Sequence, residues 1–401
     1  MKKIRIRTFY QADPVGVVPG GVDTFIRGIY KWAPEDLEFS LVGMTTEPEK
    51  RPPGKWSRCS LGRREFDFFP VFTEMNPGGR SRIPLTVRLS YNAQRYRAIV
   101  MKGFEVFELH RMEPLILFHN DPRPINAFFH QDMSILRKPD ADIRWRSFPG
   151  AYFWLEDRLI PRLSSGYCVR EAGVKLLQKR FPEQADHLHF VPTWVDSEVF
   201  YPEVDPVRCV QERLALRQRC GVDDNARFIV TVGRIDTQKN PDLLLDSFAL
   251  LEKKHRNVAL GFIGDGVLRL ALEARVRTLG LERKVHFFGL RPPSEIAEIL
   301  RSSDVFALSS AYEGMPMALL EGLGSGLPVV TTDVGEVRKV VSDRSGAVVV
   351  EHAPEPFSLA LDSVLNRLQE VSGRPCVDAI LNFQPAKVLE PIYENYRRLG
   401  A

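Results

Sequence analysis

The chain has 401 residues, 44% of them hydrophobic and 26% charged, with a formal net charge of +4. That length suits two domains of about 200 residues, each with its own core, and no apolar run approaches the roughly 20 residues of a membrane span. The five cysteines, Cys59, Cys168, Cys209, Cys220 and Cys376, show neither a disulfide framework nor Cys-x-x-Cys metal spacing, and they read as reduced thiols in a reducing compartment.

The first residues, Met1-Lys-Lys-Ile-Arg-Ile-Arg7, begin like a signal peptide. No apolar segment follows, so Ile4–Phe9 reads as the first strand of a soluble, cytoplasmic protein. A Pro/Gly-rich loop, Asp13–Gly21, then leads into a helix through Trp32. Gly20 and Gly21 allow close backbone approach to a phosphate or acceptor at that helix N-terminus; the plainer reading is a loop before an N-capped helix. A strand is expected at Phe39–Val42. Residues 1–192 hold 30 Lys and Arg against 22 Asp and Glu, and 12 of those cations lie in Lys50–Lys102 with only three acids. Such a patch suits a lipid diphosphate, an anionic membrane surface or an acidic oligosaccharide, or is simply solvated surface. No nucleic-acid recognition motif accompanies it.

Further helices are expected at Leu85–Met101, Ala151–Leu163 and Glu171–Phe181, and strands at Phe104–Phe107, Ile125–Phe129, Ser165–Val169 and His189–Val191. His130 ends the apolar run before it and ranks ahead of His110 and His119 as a site histidine. Asp140-Ala-Asp142 follows Arg137-Lys-Pro rather than a strand end and reads as solvated surface, not a manganese motif. The aromatics Trp145, Phe148, Tyr152, Phe153 and Trp154 suit helix core or a membrane interface. Pro192–Pro202 has prolines at both ends and reads as an inter-domain crossing, with the second half opening after Gly221.

That second half alternates strands at Phe228–Gly233, Val258–Ile263, Val285–Phe288, Val305–Leu308, Val329–Thr332 and Ala347–Val350 with helical patterns, the mark of a doubly wound α/β domain. Gln384–Leu399 is a final amphipathic helix. After Gly233, Arg234 and Lys239 emerge at a strand's carboxyl end, where open α/β sheets bind ligands. Arg offers a fork and Lys a point charge for phosphate. Gly264 and Gly266 follow the next strand, and Leu290 and Arg291 the one after. Glu313 and Glu321 stand eight residues apart, about 12 Å on a helical rise, a separation suited to two ends of an extended polar ligand. Between them Gly314, Met315 and Pro316 precede a helix N-terminus able to receive a phosphate.

The run Glu313-Gly-Met-Pro-Met-Ala-Leu-Leu-Glu321, with Gly326-Leu-Pro-Val-Val330 and Asp333-Val-Gly335, resembles the Glu-x(7)-Glu signature of the family 4 retaining glycosyltransferases (glycosyl transferases group 1). The resemblance implies a GT-B fold: two doubly wound Rossmann-like domains facing across a cleft, at 1–195 (acceptor side) and 203–383 (donor side), with 384–401 as a helix returning to the first. It is strong over residues 226–352 and confined in the first half to Gly20-Gly21, His130 and the crossing, with Asp23 where Glu is usual. By resemblance, Arg234 and Lys239 clamp the donor diphosphate, Glu313 holds sugar hydroxyls, Glu321 holds the ribose, and His130 bonds the donor sugar or nearby main chain. The implied activity is metal-independent, retaining transfer of a hexose-type sugar from a UDP- or GDP-sugar to an acceptor glycan or lipid-linked oligosaccharide, in surface polysaccharide or glycolipid synthesis. No cofactor or metal is expected, and the protein would be cytoplasmic or peripheral at the inner membrane face. Rival readings are a GT-B epimerase or phosphorylase and a non-catalytic nucleotide-sugar-binding protein. Gly322 and Gly324 depart from the family's usual Ala or Met and either allow close packing or mark a short helix.

Overall fold

The computed structural model describes residues 3–16, 21–76, 83–114, 118, 120–130 and 149–401. They divide into two compact units, one of residues 1–192 with 385–401 and one of residues 193–384. Gly20, Arg80, Arg82, His119, Asp140, Asp142, Trp145 and Phe148 lie outside the described residues.

The first unit is built from β1 (Ile4–Phe9), α1 (Gly21–Lys31), β2 (Leu37–Thr45), β3 (Ser57–Leu61), β4 (Arg64–Thr73), α2 (Leu85–Arg95), α3 (Arg97–Val100), β5 (Val106–Leu109), β6 (Ile125–Phe129), α4 (Pro149–Leu159), β7 (Ser165–Cys168), α5 (Glu171–Arg180) and β8 (Leu188–Phe190). Among the described residues eight strands form one sheet, ordered β3-β4-β2-β1-β5-β6-β7-β8. All pairings are parallel except β3 with β4. Winding reverses at β1, which has β2 on one side and β5 on the other. The carboxyl ends there form the switch point where open sheets bind ligands.

The sequence reading passes over the β3–β4 hairpin, and the reason is physical. Leu61 pairs with Arg64 across a turn through Gly62 at φ 58°. β3 is polar, and Pro70 interrupts β4 where its pairing with β2 shifts register at Gly43. A proline offers no N–H and sits at just such irregularities. The hairpin's cations are also partly neutralised at home. Arg58 pairs with Glu65 and Asp67, and Arg88 with Glu74, so all three acids of the basic stretch are engaged.

The second unit holds α6 (Pro206–Cys220), β9 (Arg227–Val232), α7 (Pro241–Lys254), β10 (Val258–Ile263), α8 (Arg269–Thr278), β11 (Val285–Gly289), α9 (Pro293–Arg301), β12 (Val305–Leu308), α10 (Met317–Gly324), β13 (Val329–Thr332), β14 (Gly346–Val349), α11 (Pro354–Asn366), α12 (Leu368–Val371) and α13 (Arg374–Ala379). Its parallel sheet runs β11-β10-β9-β12-β13-β14, with the reversal between β9 and β12. Separate apolar clusters cover the two faces, which is why these strands read as continuous hydrophobic runs. The segment after Pro192 joins this unit: Val195 N–H donates to Phe383 O at 3.0 Å, and Val195 and Phe200 lie in its core. So does α6, which precedes the expected opening at Gly221. It starts at Asp205, whose carboxylate accepts from Val207 N–H, and ends at left-handed Gly221. The buried Arg217 fastens it, donating to Asp304 at 2.7 Å and to the carbonyls of Ala226 and Ser302 at 2.9 Å.

The chain then returns to the first unit as α14 (Pro385–Gly400). Its Tyr393 hydroxyl donates to Ile29 O at 2.7 Å, and Asn395 donates to Asn126 Oδ1 at 3.0 Å. Gly400 lies so close to Ile4 that a Cβ there would stand 2.3 Å from Ile4 Cγ2.

Candidate active site

The carboxyl ends of β9, β10, β11 and β12 carry most of the residues singled out by sequence. β9 ends at Val232, and the loop after it bears Gly233, Arg234 and Lys239. Lys239 Nζ lies 2.5 Å from Glu313 Oε1 in the loop after β12. The second site cation and the first site carboxylate therefore neutralise each other across the switch point. Glu313 Oε1 also accepts from Ser310 Oγ at 2.8 Å, leaving Oε2 with a long bond from Gln238 at 3.5 Å. Arg234 stays mostly exposed, with Nη1 at 3.1 Å from Asp236 and Nη2 donating to Gln238 Oε1 at 3.1 Å.

Gln238 is the residue that sequence reasoning missed. It accepts from Arg234 and from Ala311 N–H, and donates to Tyr312 O and Glu313, so it ties the β9 and β12 loops together. A neutral loop glutamine carries no charge or spacing signal. Its only clue is its place between Arg234 and Lys239. Ser309 Oγ adds bonds to the carbonyls of Lys239 and Asn240 at 2.9 Å.

Gly264 has φ 133° and donates to Gly289 O at 2.9 Å. A Cβ there would fall 1.9 Å from Gly233 O, and one on Gly266 would fall 2.4 Å from Ile235 O. These glycines are thus required by the approach of one loop to another, whatever they offer a ligand. Leu290 is exposed, whereas Arg291 turns back onto Phe288 O and Glu295.

The helical measure of the Glu313–Glu321 separation needs correcting. α10 begins only at Met317, so Glu313 and Gly314 belong to a loop and a helical rise does not span the pair. Pro316 stands at the N-cap of α10 and offers no side-chain cap bond; the positive end of such a helix favours an anion. Met315 is buried, and its carbonyl accepts from Thr193 Oγ1 at 3.4 Å. Glu321 lies on α10 with its pKa pushed up to about 7, first by burial and then by Asp196, against the pull of Lys239. Gly322 and Gly324 have a packing cause. A Cβ on Gly322 would meet Phe306 at 2.9 Å, and one on Gly324 would meet Val195 at 3.1 Å; the helix is also short, at eight residues.

In the first unit, Gly21 opens α1 at the carboxyl end of β1, and His130 follows β6. The His130 ring is held by His110, whose Nδ1 lies 2.8 Å from His130 Nε2. Phe25 adds an edge contact at 4.9 Å. Burial, His110 and Arg111 drive the His130 pKa well below the usual value, so its ring is neutral. Asp23, in the first turn of α1, is buried with Oδ1 unpartnered and its pKa raised to about 6 by burial. Of the aromatic segment, Tyr152 is buried and Trp154 is exposed beneath Arg158. Among the described residues, no cluster of three or more His, Cys, Asp or Glu could hold a metal ion. No described helix is long and apolar enough to cross a membrane.

Residues 212–370 match the family described as Glycosyl transferases group 1. The mannosylfructose-phosphate synthase of Agrobacterium fabrum is 32% identical over 164 residues, covering 39% of this chain and 35% of that protein. The aligned stretches span about a third to a half of the curated relatives. Among solved structures, sucrose-phosphate synthase from Thermosynechococcus elongatus superposes with a TM-score of 0.78 at 15% identity, over 99% of each chain. Anabaena HepE in complex with UDP and glucose superposes with a TM-score of 0.70 at 17% identity, over 98% of this chain and 99% of that one. The fold is therefore the two-sheet GT-B class.

Proposed function

We propose that this chain, whose residues 212–370 form a group 1 glycosyltransferase domain, moves a hexose-type sugar from a nucleoside-diphosphate donor to an acceptor hydroxyl, with retention of configuration and without a metal. The observation that carries the reading is the Lys239–Glu313 pair at 2.5 Å, flanked by Arg234 and Gln238 at the switch point of the second sheet. Each member has a natural partner in a sugar nucleotide. The diphosphate takes Lys239 and Arg234, the sugar hydroxyls take Glu313, and the ribose takes Glu321. The cations then stabilise the charge that develops on the leaving phosphate, a task otherwise given to a metal ion. HepE, of the same fold, is described in complex with UDP and glucose, which favours a uridine donor as the first to try. The basic first unit favours an anionic acceptor such as a lipid-linked oligosaccharide, in surface polysaccharide or glycolipid synthesis.

Thermal unfolding with UDP, GDP and ADP, each with and without EDTA, tests the donor site. A ligand at 100 times its dissociation constant adds about 2.7 kcal/mol, a rise of a few degrees. The expected result is a shift with one nucleotide that survives EDTA and disappears in Arg234→Ala. No shift with any of the three refutes the donor site.

A further inference from the structure

The first unit contains a buried polar chain that no part of the proposed reaction accounts for. Glu108 in β5 is fully buried. Its Oε1 accepts from Thr8 Oγ1 at 2.8 Å and lies 3.0 Å from His110 Nε2, and its Oε2 accepts from the Tyr396 hydroxyl of α14. The Tyr30 hydroxyl donates to Thr8 Oγ1 at 2.6 Å, so the Thr8 hydrogen points onward to Glu108. The Thr8 and Tyr396 hydroxyl hydrogens both run toward the carboxylate. Beyond His110, the chain ends at His130.

We infer that Glu108 and His110 are a positioning pair that holds His130 as its Nε2–H tautomer, leaving His130 Nδ1 as a bare hydrogen-bond acceptor. The hydrogen count follows from the chain. A carboxylate accepts only, so His110 Nε2 carries a hydrogen. With His110 neutral its Nδ1 is bare, and the hydrogen in the 2.8 Å contact comes from His130 Nε2. A neutral His130 has no second hydrogen for Nδ1, which makes no hydrogen bond among the described residues. Packing fixes the rings in this pose. His110 stacks on Phe128 with centroids 4.8 Å apart and planes 10° from parallel, and Phe25 meets His130 edge-on. The ring offers an acceptor suited to a hydroxyl and unsuited to a phosphate oxygen. Its application to a sugar hydroxyl rests on the transferase reading; the tautomer does not.

The test is a long-range proton–nitrogen NMR correlation on the full chain labelled with 15N-histidine, near neutral pH. The chain has eight histidines, and His130→Gln identifies the signals of interest. The expected spectrum shows hydrogen on Nε2 and none on Nδ1, for both His110 and His130. In His110→Phe, which keeps the stacked ring and removes the acceptor, His130 should become a mixture of tautomers. Turnover should fall by roughly tenfold or more, the scale of loss when the group orienting a metal-bound histidine is removed, with nucleotide affinity unchanged. Hydrogen on His130 Nδ1 in the native protein, or an unchanged tautomer in His110→Phe, overturns the inference. Should His110→Phe not fold, Glu108→Gln is read in the same way, its neutral amide loosening the hold. If the tautomers are as inferred but His130→Gln turns over normally, the positioning pair stands and the role of His130 in transfer falls.

Discussion

Lys239 and Glu313 hold each other at 2.5 Å, so in the proposed reaction a donor parts them before either serves it. In the proposed reaction Lys239 faces the leaving phosphate, and Lys239→Ala is expected to lower kcat by roughly 10²–10³, the usual loss for one such group. Steady-state release of nucleoside diphosphate, from sugar donors carrying the nucleotide that the thermal screen selects, measures it. Glu321 makes a separate, pH-dependent prediction. Its pKa is raised from 4.5 to about 7 by burial, so the folded chain binds a proton more tightly than the unfolded one. The protein therefore loses stability as pH rises from 4.5 to 7, and the full penalty persists above pH 7. Glu321→Gln should raise the melting temperature more at pH 8 than at pH 5. With Glu321 on the ribose as proposed, donor binding runs the opposite way, because the ionised carboxylate is the better acceptor for two ribose hydroxyls. Calorimetric nucleotide affinity should weaken below pH 7 in the native chain and lose that dependence in Glu321→Gln.

At the scale of elements, α10 shows how packing reverses a propensity. Alanine for glycine in a helix interior ordinarily gains up to about 1 kcal/mol. Gly322→Ala would press its methyl to 2.9 Å from Phe306, and overpacking costs about 1–3 kcal/mol, so denaturant titration should show net destabilisation. Other elements differ in how openly the sequence declares them. The buried parallel strands of the second unit, such as Val258–Ile263, are legible because both faces are apolar. α6 is not, because it buries little beyond Leu216 and Arg217, and a buried arginine satisfied by Asp304 leaves no hydrophobic stripe to detect. The β3–β4 hairpin is hidden by its charges and by Pro70. Within the site, Glu313, Glu321, Arg234 and Lys239 stand out through motif and position. Gln238 and Glu108 do not, since Gln238 meets Glu313, and Glu108 meets Thr8 and Tyr396, across long stretches of sequence.

At the scale of the whole chain, each unit has its own apolar core, and the first unit is discontinuous. Tyr396 is fully buried there and its hydroxyl reaches Glu108. Tyr396→Ala should cost about 3–5 kcal/mol, as for other large aromatics, and calorimetry should place that loss in the first unit while nucleotide still shifts the second. Tyr396→Phe should cost less, since only the hydroxyl is lost.

The return of α14 also sets an order in time. During synthesis the second unit emerges as one continuous stretch and can close as soon as it clears the ribosome. Residues 1–192 of the first unit emerge earlier, yet its sheet lacks α14 until residues 385–400 have been made. Domains usually fold in the order they are made; here the earlier-made half is expected to be the later to finish. Until then Glu108 lacks the Tyr396 hydroxyl as a donor, so the inferred hold on its two histidines is complete only once α14 has docked.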